Sequence, residues 1–220
     1  MSQPRKETIE CPHCHKEGVF EYWALVNVDL APELREKVFS DELFMYHCPH
    51  CGEVMGIAAG TIYLDIRHKF VLFFEFNKPD GYDYAPMELP GTLDMYKGYT
   101  LRAVFGLQRF KEKIVILERG LDDVVIERQK YMISHISKPE IARKGYELFF
   151  EKKEEPDGEF PCGKIFFSYN DEEKQQTIEL GLAMDNYYEH SLACKLDPRM
   201  KAKGCMCVDD GWMARQMMRE

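Results

Sequence analysis

Three observations on the sequence predict an α+β chain: a Cys-Pro-His-Cys tetrad that occurs twice near the N-terminus, apolar residues at three- and four-residue steps within 105–136, and alternating strand segments divided by turn residues within 146–183. The chain has 220 residues with apolar types at 45% and charged types at 30%, enough to bury a core without covalent staples. The predicted organisation is a tetrad-bearing domain over residues 1–78, a connecting loop over 79–97, and an α+β C-terminal region over 98–220. Within the last, helices are expected at about 105–136, strands at about 146–183 and a closing helix at about 211–219.

The tetrads are Cys11-Pro12-His13-Cys14 and Cys48-Pro49-His50-Cys51. Two cysteines three apart on a tight turn aim both sulfurs at one point, and turn amides can donate to them. Two such knuckles complete a tetrahedron, for which Zn²⁺ is the natural occupant because it favours thiolate and has no geometric preference of its own. Gly52 follows the second knuckle and suits a left-handed turn residue; at the matching place after the first stands His15, which accepts positive φ less readily. Ribbons usually leave about 15 to 20 residues between knuckles. Here 33 lie between Cys14 and Cys48, so a folded segment must be inserted.

That insertion is legible. Val19 to Val28 is strand-like, Leu30 to Phe39 carries Pro32, Glu33 four before Lys37, and Leu34 and Val38 at helical spacing, and Leu43 to Cys48 returns as a strand. The prediction is a zinc ribbon with an inserted strand and helix, holding one structural Zn²⁺ on Cys11, Cys14, Cys48 and Cys51. His13, His47 and His50 stand beside the sulfurs as alternative ligands, but four cysteines already fill a tetrahedral shell, so these histidines are assigned to supporting or solvent-facing places.

The segments IECPHC, Trp23 to Val28, APELREKVF, ELFMYHCPHCG and TIYLDIRHKF together resemble the CpXC domain proteins, a family known mainly from uncharacterised bacterial members. The resemblance covers roughly residues 7 to 75, and LQRFKEKIVILERGLDDVVIERQKYMIS extends it to about 135. His15, where a glycine is usual, and Leu64, where a histidine is common, depart from the pattern. The resemblance implies a zinc-ribbon-like domain and no established activity.

Beyond Phe76 the prolines, glycines and tyrosines of NKPDGYDYAPMELPGTLDMYKGY read as a connecting loop. Leu107, Phe110, Ile114 and Leu117 mark one amphipathic helix, stopped by Gly120. Val125, Gln129, Met132, Ile133 and Ile136 mark a second, opened by Asp122 and Asp123 at the positive end of its dipole. YELFFEKKE, KIFFSYN and TIELGLAM, separated by Asp157-Gly158 and Asn170 to Glu173, predict two or three antiparallel strands. MDNYYEHSLACKL reads as a further helix, and Gly211 to Met218 as a closing one with Trp212 as packing anchor. Cys162, Cys194, Cys205 and Cys207 are candidates for a second metal site, although Cys205-Met206-Cys207 is tighter than zinc knuckles prefer and free thiols are the simpler reading.

The net charge is −9, which argues against a polyanion as main partner. Residues 97–150 run the other way, with eleven basic against seven acidic side chains, and are read as a solvated helical face rather than a phosphate site. No secretory h-region or membrane span is visible, so a cytoplasmic address with reduced thiols is expected. Walker, GxGxxG, GxSxG and HExxH motifs are missing, so no catalytic residue is assigned. The leading expectation is a structural zinc module that binds protein. The alternatives are a nucleic-acid-binding ribbon helped by the basic helices, and an enzyme with an unfamiliar site around Tyr63, Asp65 and His68.

Overall fold

The computed structural model describes residues 4–88 and 96–218, so part of the predicted connecting loop, residues 89–95, lies outside the described residues. The chain is mixed α+β and divides into two compact units, Met1–Asp83 with Met87–Lys111 and Tyr84–Pro86 with Glu112–Glu220.

In the first unit, β1 (Arg5–Glu10) pairs antiparallel with β2 (Glu17–Tyr22), whose period-two pattern turns Gly18 and Phe20 inward and leaves Val19 and Glu21 outside. A second hairpin, β4 (Met45–His47) with β5 (Val54–Gly56), buries Tyr46. Each tetrad therefore occupies the tip of its own two-stranded hairpin. Between them run β3 (Leu25–Asn27), α1 (Glu33–Phe39), which buries Leu34 and Val38, and a 3₁₀ turn over Glu42–Phe44. The hairpin β6 (Thr61–Asp65) and β7 (Phe70–Glu75) leads on to β8 (Thr100–Phe105). These strands make a four-stranded sheet in the order β3-β6-β7-β8, parallel at both outer pairings and antiparallel in the middle.

The apolar run of β7, continuous rather than alternating, is buried over Phe70–Phe74 except for the half-buried Phe73, as expected of an interior strand. Phe74 stacks on Phe110 at 4.4 Å between centroids, and Tyr63 meets the same ring edge-on at 5.7 Å. Phe44 completes the cluster 5.5 Å from Phe74.

Two sequence expectations change here. Val19 to Val28 is not one strand: it breaks at Trp23 and Ala24, and its halves enter different sheets. Residues from 98 onward do not all belong to the C-terminal region, because β8 adds in parallel beside β7 and the division falls within helix α2 (Leu107–Glu118). Periodicity identifies an apolar strand but not the neighbour it pairs with.

The second unit packs α3 (Asp123–Tyr131), a π-helical turn over Met132–Ser137, α4 (Pro139–Arg143), α5 (Met184–Leu196) and α6 (Asp210–Met218) with the antiparallel sheet β9 (Phe149–Glu154), β10 (Lys164–Asp171) and β11 (Gln176–Ala183). Ile126, Ile141, Ile165, Phe167 and Met213 lie at its centre, with Trp212 as the anchor expected from sequence. Asp122 caps α3 by accepting from the Val124 amide at 2.9 Å, and Asp209 caps α6 by accepting from Trp212 at 2.9 Å.

Asp123 does not share the capping role of its neighbour. It is buried and accepts from Lys113 Nζ at 3.0 Å, and Lys113 reaches Glu127 at 3.2 Å. Lys130 donates to Glu112 at 3.0 Å and to Glu127 at 3.3 Å, and the Phe150 amide donates to Glu112 at 2.7 Å. All five charged side chains are nearly inaccessible, so Lys113 and Lys130 do not belong to a solvated basic face. Burial pushes Glu112 above the usual carboxylate range despite the two lysines. For Lys130, burial works against the ammonium, but the charges of Glu112 and Glu127 outweigh it and raise its pKa.

Replacing Lys130 with methionine leaves Glu112 and Glu127 facing each other without this cation. The expected loss, read by urea unfolding near neutral pH, is ~3–5 kcal/mol. Since the folded state holds the Glu112 proton above the usual range, the deficit shrinks in acid and grows as the pH rises through that raised value.

Candidate metal centre

The two knuckles repeat one backbone design. The Cys11 amide donates to the Lys16 carbonyl at 3.0 Å and the His15 amide to the Cys11 carbonyl at 2.8 Å; in the second knuckle Cys48 donates to Glu53 at 2.8 Å and Gly52 to Cys48 at 3.0 Å. The fifth residue of each turn is left-handed, with φ of 56° at His15 and 76° at Gly52, so the histidine takes the conformation that glycine adopts freely.

This geometry brings Cys11, Cys14, Cys48 and Cys51 together, with their four sulfurs all within 4.8 Å of one another. Cys11 Sγ lies 3.7 Å from Cys51 Sγ, and Cys14 Sγ 3.7 Å from Cys48 Sγ. A disulfide needs ~2.05 Å. A tetrahedron with metal–sulfur bonds of ~2.3 Å has edges of ~3.8 Å, and the two cross-knuckle separations fit it. Cys11 and Cys48 are buried, Cys14 is half-buried and Cys51 exposed.

Crowding has an electrostatic result. Burial would push the Cys48 thiol up, but the amides of His50 and Cys51 and hydrogen bonds from Cys51 and Cys11 prevail and bring it down to about 6. The Glu53 amide favours a Cys51 thiolate, yet burial and the neighbouring sulfurs prevail there and raise it to about 12. One sulfur thus ionises and discourages the next. A cation between them would favour all four thiolates at once.

The predicted histidines stand apart from this group, since among the described residues the converging donors are the four sulfurs alone. His13 and His47 are exposed. His50 Nε2 donates to the Glu17 carbonyl at 2.9 Å, fastening the second knuckle to β2, and His15 Nδ1 meets Glu10 Oε1 at 3.1 Å on the surface. Tyr46 packs edge-on against Phe20 at 6.4 Å, and burial followed by the charge of Cys48 holds its hydroxyl above the usual tyrosine range.

Cys162, Cys194, Cys205 and Cys207 do not form a comparable group among the described residues. Cys162 is exposed before β10, Cys194 lies on the buried side of α5 with its thiol pushed up to about 11 chiefly by burial, and Cys207 Sγ donates to Asp209 at 3.2 Å. Of the residues considered for catalysis, Asp65 and His68 do meet, with His68 Nδ1 2.7 Å from Asp65 Oδ2 and the His68 amide on Asp65 Oδ1 at 2.7 Å, closing the β6–β7 turn. Tyr63 is instead interior, stacked on Phe70 at 5.9 Å.

Sequence reasoning passed over Gly18, although a glycine within a strand signals a close approach. A Cβ there would lie 1.7 Å from the Tyr46 hydroxyl oxygen.

Two hairpins delivering four thiols to one point define a cysteine cluster compatible with metal binding. The sequence matches the family described as CpXC protein over residues 9–130, more than half of the chain, and the chain belongs to that family. No curated protein and no solved structure matches it.

Gly18→Ala must displace the Tyr46 ring, whereas Gly56→Ala in the facing hairpin meets nothing within 4 Å. The first is expected to destabilise the N-terminal unit by ~1–3 kcal/mol and the second by under about 1 kcal/mol, measured by thermal unfolding.

Proposed function

We propose that Cys11, Cys14, Cys48 and Cys51 hold one structural Zn²⁺ in a zinc-ribbon-like module whose task is to present a protein-binding surface. The observation that carries this reading is the set of four sulfurs within 4.8 Å, with 3.7 Å separations across the two knuckles. Bound there, zinc would supply a closed thiolate shell with no open position, which is the chemistry of a structural site. Such an ion contributes on the order of 10 kcal/mol to folding in small zinc modules.

The hairpins themselves bury little beyond Cys11, Phe20, Tyr46 and Cys48. A cross-link between their tips therefore compensates for a core too small to hold them. Outside that core, Val19, Met45 and Val54 are exposed apolar side chains on the same two hairpins, and they support a protein partner over a polyanion. The acidic balance of the chain points the same way.

Purified protein should carry one zinc per chain by elemental analysis, and Cys14→Ser should lower zinc affinity at least about 100-fold. Because zinc binds cysteine as thiolate, its uptake should release protons and affinity should fall as the pH falls, measured by chelator competition. A zinc-free native protein with unchanged hairpin signals in circular dichroism and NMR would remove the structural role. For the surface, Val19→Lys with Val54→Lys should abolish co-purification of partners from the native cell while leaving zinc content unchanged; unaltered co-purification would place the interaction elsewhere.

A further inference from the structure

Helix α5 is apolar on both of its sides. Met184, Tyr187 and Cys194 join the core of the second unit, whereas Tyr188, Leu192 and Leu196 are 54%, 60% and 75% exposed. A surface helix ordinarily keeps its apolar residues on the buried side, so a second apolar face calls for a second neighbour. The three exposed side chains follow one another at four-residue steps, which aligns them as a single ridge of the kind that interdigitates when helices pack. Scattered apolar residues on a surface need no explanation, but a contiguous ridge of one tyrosine and two leucines does.

The charges beside the ridge indicate what covers it. Exposed Asp185 and Glu189 flank its N-terminal half and exposed Lys195 and Arg199 its C-terminal half, with Leu192 midway. The helix dipole favours that polarity at the two ends, yet it asks nothing of the apolar residues between them. Asp185 accepts from the Cys162 thiol, and Arg199 holds Asp197 at 2.8 Å. Glu189 and Lys195 have no opposite charge paired with them among the described residues.

Set antiparallel on a second α5 about Leu192, the ridge is its own complement. Tyr188 of one copy then lies level with Leu196 of the other, Leu192 with Leu192, and Glu189 with Lys195, because the members of each pair stand equally far from the centre. A parallel alignment would set acid level with acid and base level with base. The antiparallel arrangement is two-fold symmetric, uses the same patch on both copies and closes at a dimer.

We propose that α5 is a homodimer contact, in which two copies of this chain pack antiparallel through Tyr188, Leu192 and Leu196 and Glu189 of each copy pairs with Lys195 of the other. The contact is independent of the cysteine cluster, so neither reading depends on the other.

Sedimentation equilibrium of the full-length protein should show a monomer–dimer equilibrium in the micromolar range, since one helix face buries less area than a standard interface. Leu192→Glu should weaken dimerisation at least about tenfold by setting two carboxylates against each other at the two-fold axis. Glu189→Lys and Lys195→Glu should each weaken self-association, because every charge on the face then has one sign. An equimolar mixture of these two variants sets cations against anions and should regain at least the unsubstituted affinity. All three positions are exposed, so thermal unfolding of each monomer should be little changed; should Leu192→Glu fold poorly, the mixture of charge variants carries the test. A chain that stays monomeric into the millimolar range, a dimer indifferent to Leu192→Glu, or a mixture that associates no more tightly than either charge variant alone would each overturn the proposal.

Discussion

Four sulfur atoms within 4.8 Å of one another impose a constraint that the N-terminal half of this chain is arranged to meet. Thiols at that spacing cannot all ionise without a positive charge among them, and the two hairpins bury only a small apolar cluster around Cys11, Phe20, Tyr46 and Cys48. Every local feature of the knuckles serves the convergence: the paired carbonyl and amide contacts of each turn, the left-handed residue at its end, and the His50 bond to Glu17 that fixes one hairpin against the other. Tyr46 and Gly18 fill the space beneath, one large and one without a side chain, so that the strands can close to the distance the sulfurs need.

How much of this was readable from sequence depends on whether the controlling interaction is local. The knuckles were, because a duplicated tetrad states its geometry within four residues, and so were the stop at Gly120, the Asp122 cap and the three C-terminal strands. Pairing between distant segments was not. Nothing in TLRAVF says that it joins β7 in parallel rather than opening the next domain, and nothing in Val19 to Val28 marks the break that sends its halves to separate sheets. His50 was assigned a supporting or solvent-facing place, but its partner, the backbone of Glu17 thirty-three residues earlier, was not legible.

The buried charges of the second unit show the same limit in another form. Composition around residues 97–150 suggests a basic surface, yet Lys113 and Lys130 are inside, each between carboxylates. Charge counting assumes solvent around each side chain. Here α3 is covered along most of its length, so its lysines and acids must satisfy one another, and burial holds Glu112 above the usual carboxylate range. A network of this kind adds little stability over an apolar core, but removing one member leaves the others buried and unmatched.

The parallel pairing of β3 with β6 brings Leu25 opposite Ile62, across a segment that contains both strands of the second knuckle. Contacts so far apart along the chain are slow to find each other, because a long loop must close before any contact rewards it. A link between the knuckles would give the chain a shortcut, joining Leu25 to Ile62 through Cys14 and Cys51 over 22 residues of chain instead of 37 and reducing the entropy of that closure by about half a kcal/mol. The same cross-link would then act twice, once on the hairpins it joins and once, at a distance, on the order in which the neighbouring sheet assembles.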